Sequence, residues 1–157
     1  PVFLEIKKKY DGVVYKRRVS TDFAQAMRFL TEGIPPESGD YVARQVTAEM
    51  THMIRRDGLI PRAAVFYDRR AFHGADDPEL RLTLDGNIRY RLGDLDLRNG
   101  TDGDTIPGQP FRIMEIKSAS SIPLWLAGTL SELGIHPGSF SKYGSVYKQR
   151  FQDLCTT

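Results

Sequence analysis

The tripeptide Glu-Ile-Lys occurs twice, as Glu5-Ile6-Lys7 and as Glu115-Ile116-Lys117, each inside an otherwise apolar, strand-like run. On a strand, successive side chains alternate faces, so each Glu and Lys share one face and the Ile between them points to the other. Arginines and lysines recur in the same pattern: Lys16 and Arg18 in "YKRRV", Arg69 in "YDRRAF", Arg81 in "LRLTLD", Arg89 and Arg91 in "IRYR". A guanidinium binds two phosphate oxygens through its planar fork, and an ammonium acts as a point charge. Cations gathered on strand faces therefore suit an anionic, oxygen-rich ligand. A carboxylate among them makes no sense as a phosphate contact. It does make sense as an oxygen ligand for Mg²⁺ or Mn²⁺ bridging such phosphates. The competing reading is an antiparallel sheet with one solvated face. Such faces usually mix Thr, Ser and Gln with a few charges, whereas here Arg and Lys dominate.

The elements that would position these residues follow from periodicity. Val2–Tyr10 and Val13–Val19 alternate and are joined by Asp11-Gly12, a hairpin signature. Ser20-Thr21-Asp22 can cap a helix over Phe23–Leu30, with Phe23, Ala26, Met27 and Leu30 at helical spacing. The loop "EGIPPESGD" leads to a longer helix over Tyr41–Arg56, with Val42, Val46, Met50 and Met53 as its stripe and Asp57-Gly58 as its stop. Arg62–Phe72, Leu80–Asp85 and Ile88–Leu92 read as strands, the last two joined by a turn at Gly86-Asn87. "RNGTDGDTIPGQP" reads as a mobile polar loop, and its Asp102 and Asp104 lack the spacing of a calcium loop. Arg112–Lys117 is the last strand. Helices over Leu124–Leu133 and Ser141–Leu154 close the chain, the first a core helix anchored by Trp125, the second capped by Ser139 or Ser141. The order ββ-αα-βββ-β-αα predicts an α+β fold with a mainly antiparallel sheet. With helices on the apolar faces, the charged faces can curl toward one another into a cationic groove or barrel.

Chain-level quantities bound the reading. At 157 residues, 40% hydrophobic and 27% charged, the chain is one globular domain, 1–157, by size and composition. The net charge of +2 does not by itself announce a polyanion partner, so the distribution of charge matters more than its sum. The single cysteine, Cys155, excludes a disulfide framework within the chain and fits a reducing, cytoplasmic setting. No run is long and apolar enough to span a bilayer. His52, His73 and His136 form no visible constellation. Aromatic stacking platforms are not interleaved with the cations, so nucleic acid is not the expected partner.

In order along the chain, "FLEIKKKYDGVVYKRRV", "YDRRAF", "LRLTLDGNIRYR", "MEIKSASSIPLWL" and "SFSKYGSVY" resemble the vacuolar transporter chaperone (VTC) domain. That family makes polyphosphate and belongs to the triphosphate tunnel metalloenzyme superfamily. The resemblance extends to bacterial members with no attached transmembrane or sensor domain. The resemblance runs from Phe3 to Tyr147 and implies an antiparallel β-barrel tunnel with basic residues and a metal-binding glutamate inside and helices outside. By resemblance, Lys7 and Lys16 are tunnel lysines, Arg69 and Arg81 phosphate-binding arginines, Glu115 the metal ligand, and Lys142 of "SKY" closes the phosphate site. Arg18, Arg89, Arg91, Lys117 and Ser141 form a second tier of phosphate ligands, and Glu5 is an alternative metal ligand. Family members carry further strands ahead of "LEIK", so this chain is expected to be a C-terminal portion of the domain. Those strands would come from a preceding segment or from another copy in a homo-oligomer.

The activity the resemblance implies is transfer of the ATP γ-phosphoryl group to polyphosphate, with Mn²⁺ or Mg²⁺. Two alternatives stay open: hydrolysis of triphosphate or nucleoside triphosphate, and polyphosphate or nucleotide binding without catalysis.

Overall fold

The structure is a computed structural model that describes residues 1–11, 13–108 and 111–155, with side chains to residue 150. It divides into two compact units, Pro1–Pro61 and Arg62–Thr157. The secondary structure is α+β with antiparallel sheets, as the element order predicts. One sheet has two strands and the other four, and among the described residues neither closes into a barrel.

In the first unit, β1 (Val2–Tyr10) and β2 (Val13–Thr21) pair in continuous register from Val2↔Thr21 to Tyr10↔Val13. Asp11 takes a positive φ of 47°, as a two-residue hairpin connection demands; Gly12 lies outside the described residues. Two helices follow. Asp22 caps α1 (Phe23–Glu32) by accepting from the Gln25 N–H at 2.8 Å. Asp40 caps α2 (Tyr41–Asp57) by accepting from Val42 and Ala43, and Gly58, at φ 60°, ends it in the left-handed region. The alternation of β1 and β2 puts Leu4, Ile6 and Val19 on one face, where they pack with Ala26, Phe29, Val46 and Met50 of the helices. Two details of the expected stripes differ. Phe29, one turn on from Ala26, fills the core while Leu30 is exposed, and Ala43 packs inward while Val42 is exposed. The rest of the expected stripes holds, with Ala26, Val46 and Met50 buried and Met53 packed against them.

The second unit is organised by β4 (Arg81–Arg91), which pairs along one edge with β3 (Ala64–His73). Its other edge is shared by β6 (Ile113–Lys117) toward Arg81 and β5 (Asp104–Thr105) toward Arg91. The segment expected as two strands with a turn at Gly86-Asn87 is thus one strand. Gly86 and Asn87 form a bulge: Asn87 has φ 49°, and the register shifts between Phe66↔Arg89 and Asp68↔Gly86. The loop expected to be mobile supplies β5 and the buried Ile106. Gly103 leads into that strand because a Cβ there would clash with the Tyr90 carbonyl oxygen.

Two helices complete this unit, α3 (Leu124–Glu132) and α4 (Lys142–Cys155). Val146 of α4 packs with Ile88, Tyr90 and Ile106, flanked by Val65, Phe111 and Ile113. In α3 only Leu126 is buried, and Trp125, expected as a core anchor, is 66% exposed. The run is apolar all round, so periodicity does not assign it an inward face. No helix of the described residues is long and apolar enough to cross a membrane.

Candidate functional site

The register of the four-stranded sheet fixes which side chains meet. Three rows cross β3, β4 and β6: His73–Arg81–Lys117, Ala71–Thr83–Glu115 and Arg69–Asp85–Ile113. All nine residues share one face. Beyond the bulge the same face continues with Ile88 and Tyr90, because the extra residue inverts the parity of β4. One face is therefore apolar toward Tyr90, where Val146 of α4 covers it, and charged toward Arg81, where it is open. The charged end forms a cleft of about 200 Å³ lined by Arg69, His73, Arg81, Thr83, Glu115 and Lys117 among others.

Asp85 stands at the junction and is 1% exposed. Arg69 donates to it through Nε at 2.6 Å and Nη2 at 2.8 Å, and Lys142 Nζ donates to Oδ2 at 2.6 Å. Burying a carboxylate costs several kcal/mol unless it is paired and hydrogen-bonded, and three charged donors meet that requirement. The bidentate Arg69 pair, reinforced by Lys142 against the opposing effect of burial, lowers the Asp85 carboxyl pKa to about 2. The same pairing pushes the Arg69 guanidinium further up from its ordinary range. The Tyr67 ring lies beneath both cations, 5.2 Å from the Arg69 guanidinium carbon and 4.3 Å from Lys142 Nζ.

Glu115 is half-exposed, 3.1 Å from Lys117 and 4.0 Å from Arg69 Nη2. Thr83, its neighbour in the same row, holds a buried hydroxyl with no hydrogen-bond partner among the described residues. No group of three or more His, Cys, Asp or Glu residues that could hold a metal occurs among the described residues. A single carboxylate among cations is a poor metal site alone. It fits a divalent ion whose other ligands are phosphate oxygens and water, the usual condition for Mg²⁺ in phosphoryl-transfer sites.

The sequence-predicted residues separate into four groups. Arg69, Arg81, Glu115 and Lys117 share the cleft. Lys142, the first residue of α4, joins Arg69 through Asp85, while the Ser141 hydroxyl accepts from the Gly144 N–H at 3.0 Å as the helix cap. Lys7, Lys16, Arg18 and Glu5 share the face of β1–β2 opposite Leu4 and Ile6, with Glu5 2.8 Å from Lys16 and the Arg18 guanidinium over Phe3. Arg89 and Arg91 do not join the cleft, because the bulge puts them on the opposite sheet face. There Arg89 pairs with Asp68 at 3.3 Å, and Arg91 donates to the carbonyls of Asp96 and Asn99.

The helices also differ from expectation in where they pack. Helix α4 covers part of the face that carries Arg69 and Glu115, while Leu82, Leu84, Met114 and Ile116 on the other face are only half-buried. Alternation puts Thr83 and Asp85 on the face of Arg81, but the sequence reading assigned neither of them, nor Tyr67 or His73, to the site. The available signals were an acid alternating in phase with Arg81, and the Tyr two residues before Arg69.

Comparison with curated proteins finds no match. The VTC domain family matches residues 1–151. That match spans nearly the whole chain, covering β1 to α3 entirely and α4 as far as residue 151, and it is consistent with a polyphosphate polymerase family. The chain belongs to the VTC domain family.

Proposed function

We propose that this chain is a polyphosphate polymerase domain, transferring the γ-phosphoryl group of ATP to the end of a growing polyphosphate chain. The observation that carries this reading is the row geometry of β3, β4 and β6. It gathers Arg69, Arg81 and Lys117 around one open cleft beside a single carboxylate, Glu115, in a chain of the VTC family. Phosphoryl transfer needs positioning and charge neutralisation more than covalent chemistry from the protein. Arg81 and Arg69 hold phosphate oxygens through their forks, and Lys117 adds a point charge at the cleft wall. The Thr83 hydroxyl is available as a neutral donor to a phosphate oxygen at the cleft floor. Glu115 is the residue that would hold a divalent ion, Mn²⁺ or Mg²⁺, which when bound neutralises charge on the phosphates. Lys7, Lys16 and Arg18 make a cationic face on the first unit that by itself also suits phosphate oxygens. In the transfer, a terminal polyphosphate oxygen forms the new bond to the γ-phosphorus as the bond to the β-phosphate oxygen breaks, and ADP leaves. The attacking oxygen is already anionic, so the step needs no general base.

The test is incubation of the protein with ATP and Mn²⁺, followed by separate assays for chain growth and for free phosphate. Growth of polyphosphate is expected, falling about 100-fold or more in Glu115→Gln and in Arg81→Ala. Undiminished synthesis in both variants would sink the reading. Release of free phosphate without chain growth would replace it with a hydrolase.

A further inference from the structure

Asp85 is buried, and its two oxygens are already committed to three donors from two elements, Arg69 on β3 and Lys142 on α4. It is therefore neither a base nor a metal ligand for anything in the cleft. Its effect is on the cations. Arg69 spends Nε and one Nη2 hydrogen on the carboxylate, so its guanidinium plane is fixed and the Nη1–Nη2 end remains for an incoming anion. Arg69 lines the cleft with Arg81 and Glu115, and its Nη2 lies 4.0 Å from Glu115 Oε2. Lys142 is drawn to the same carboxylate, and the Tyr67 ring supports both cations from below. Without a fixed partner, two neighbouring cations would repel each other and sample many rotamers. A phosphate chain would then have to order them on binding.

We infer that Asp85 is a positioning residue that pre-organises Arg69 and Lys142 for a polyphosphate or triphosphate ligand, remaining bound to both cations when the ligand is present. The inference rests on the proposed function for the identity of the ligand. It makes a prediction opposite in sign to simple electrostatics. Removing a negative charge beside an anion site should strengthen anion binding if charge alone mattered. Removing a positioning group should weaken it.

The experiment is calorimetric titration of tripolyphosphate into the wild-type chain and Asp85→Asn, with the Arg69 Nε–H signal followed by NMR. Asp85→Asn should bind about tenfold more weakly, the scale on which outer partners of binding groups act. Its Arg69 Nε–H should lose exchange protection while the backbone amides of β3 and β4 keep theirs. Binding by Asp85→Asn as tight as wild type, or tighter, overturns the inference and leaves the proposed function standing. If the variant does not fold, the wild-type spectrum decides alone. Arg69 Nε–H should exchange more slowly than that of exposed Arg70, and stay so when tripolyphosphate is added. Protection that vanishes on ligand addition means that Arg69 abandons Asp85 for phosphate, and overturns the inference. No tripolyphosphate binding by wild type removes the proposed function, and this inference with it.

Discussion

The two Glu-Ile-Lys strands look alike in sequence but are built differently. On β1, Ile6 is buried under α1 and α2, and Glu5 is answered across the hairpin by Lys16 on an exposed surface. On β6, Ile116 is only half-buried, and Glu115 sits in a cleft whose nearest arginine, Arg69, is held by a buried carboxylate. The hairpin thus has a firm apolar back and loosely held charges. The four-stranded sheet has a softer apolar back and tightly held charges. Alternation alone produces both, and what separates them is Asp85. A cation pinned by a buried anion keeps its geometry, whereas an exposed pair gains little and is screened by salt.

This contrast can be broken in order of expected effect. Asp85→Ala should cost about 3 kcal/mol, the low end for breaking a buried pair because Arg69 and Lys142 both retain some access to water. Hydrogen exchange should show that loss in β3–β4, and unchanged protection in β1–β2 would confirm that the two units carry their charges separately. Ile6→Ala should cost a similar amount, about 3 kcal/mol, and Ile116→Ala roughly 1 kcal/mol, read from thermal or urea unfolding. Equal values for the two isoleucines would erase the difference drawn between their backing layers.

Acid gives the next effect. The Asp85 pKa is lowered in the folded state, from the ordinary 3.8 to about 2. Its contribution is therefore fully present above about pH 4 and is lost as pH falls toward 2, amounting to about 2 kcal/mol. The stability–pH curve of Asp85→Asn should be flatter across that window, and a parallel curve would contradict the assignment. Smallest of all, Glu5→Gln should change stability by less than about 1 kcal/mol, as expected for an exposed pair.

What the sequence made legible was local. The β1–β2 hairpin, the Asp22 cap of α1, the Gly58 stop of α2 and the Ser141 cap rest on short-range chemistry that residue identity specifies. The bulge at Gly86-Asn87 was not legible, since Gly-Asn serves equally well in a hairpin turn, and only the partner strand distinguishes the two. That single ambiguity sent Arg89 and Arg91 to the wrong face, because one inserted residue inverts every side chain beyond it. The pairing of Asp85 was not legible for a related reason. Its burial depends on Lys142, fifty-seven residues away, reaching it from α4. Trp125 was misread because an apolar helix without polar phase has no preferred inward face until something packs on it.

The claim that the Arg69–Arg81–Glu115–Lys117 cleft is a phosphate site is tested most directly by titrating tripolyphosphate into wild type and Arg81→Ala under identical salt. Arg81 is exposed, and its nearest acid, Glu79, is 3.9 Å away, so its loss should leave the fold intact. Binding weakened about tenfold or more by Arg81→Ala is expected, on the scale of a charge-assisted contact of about 1.5–3 kcal/mol. Equal affinity in the two proteins would place the phosphate elsewhere and contradict the account.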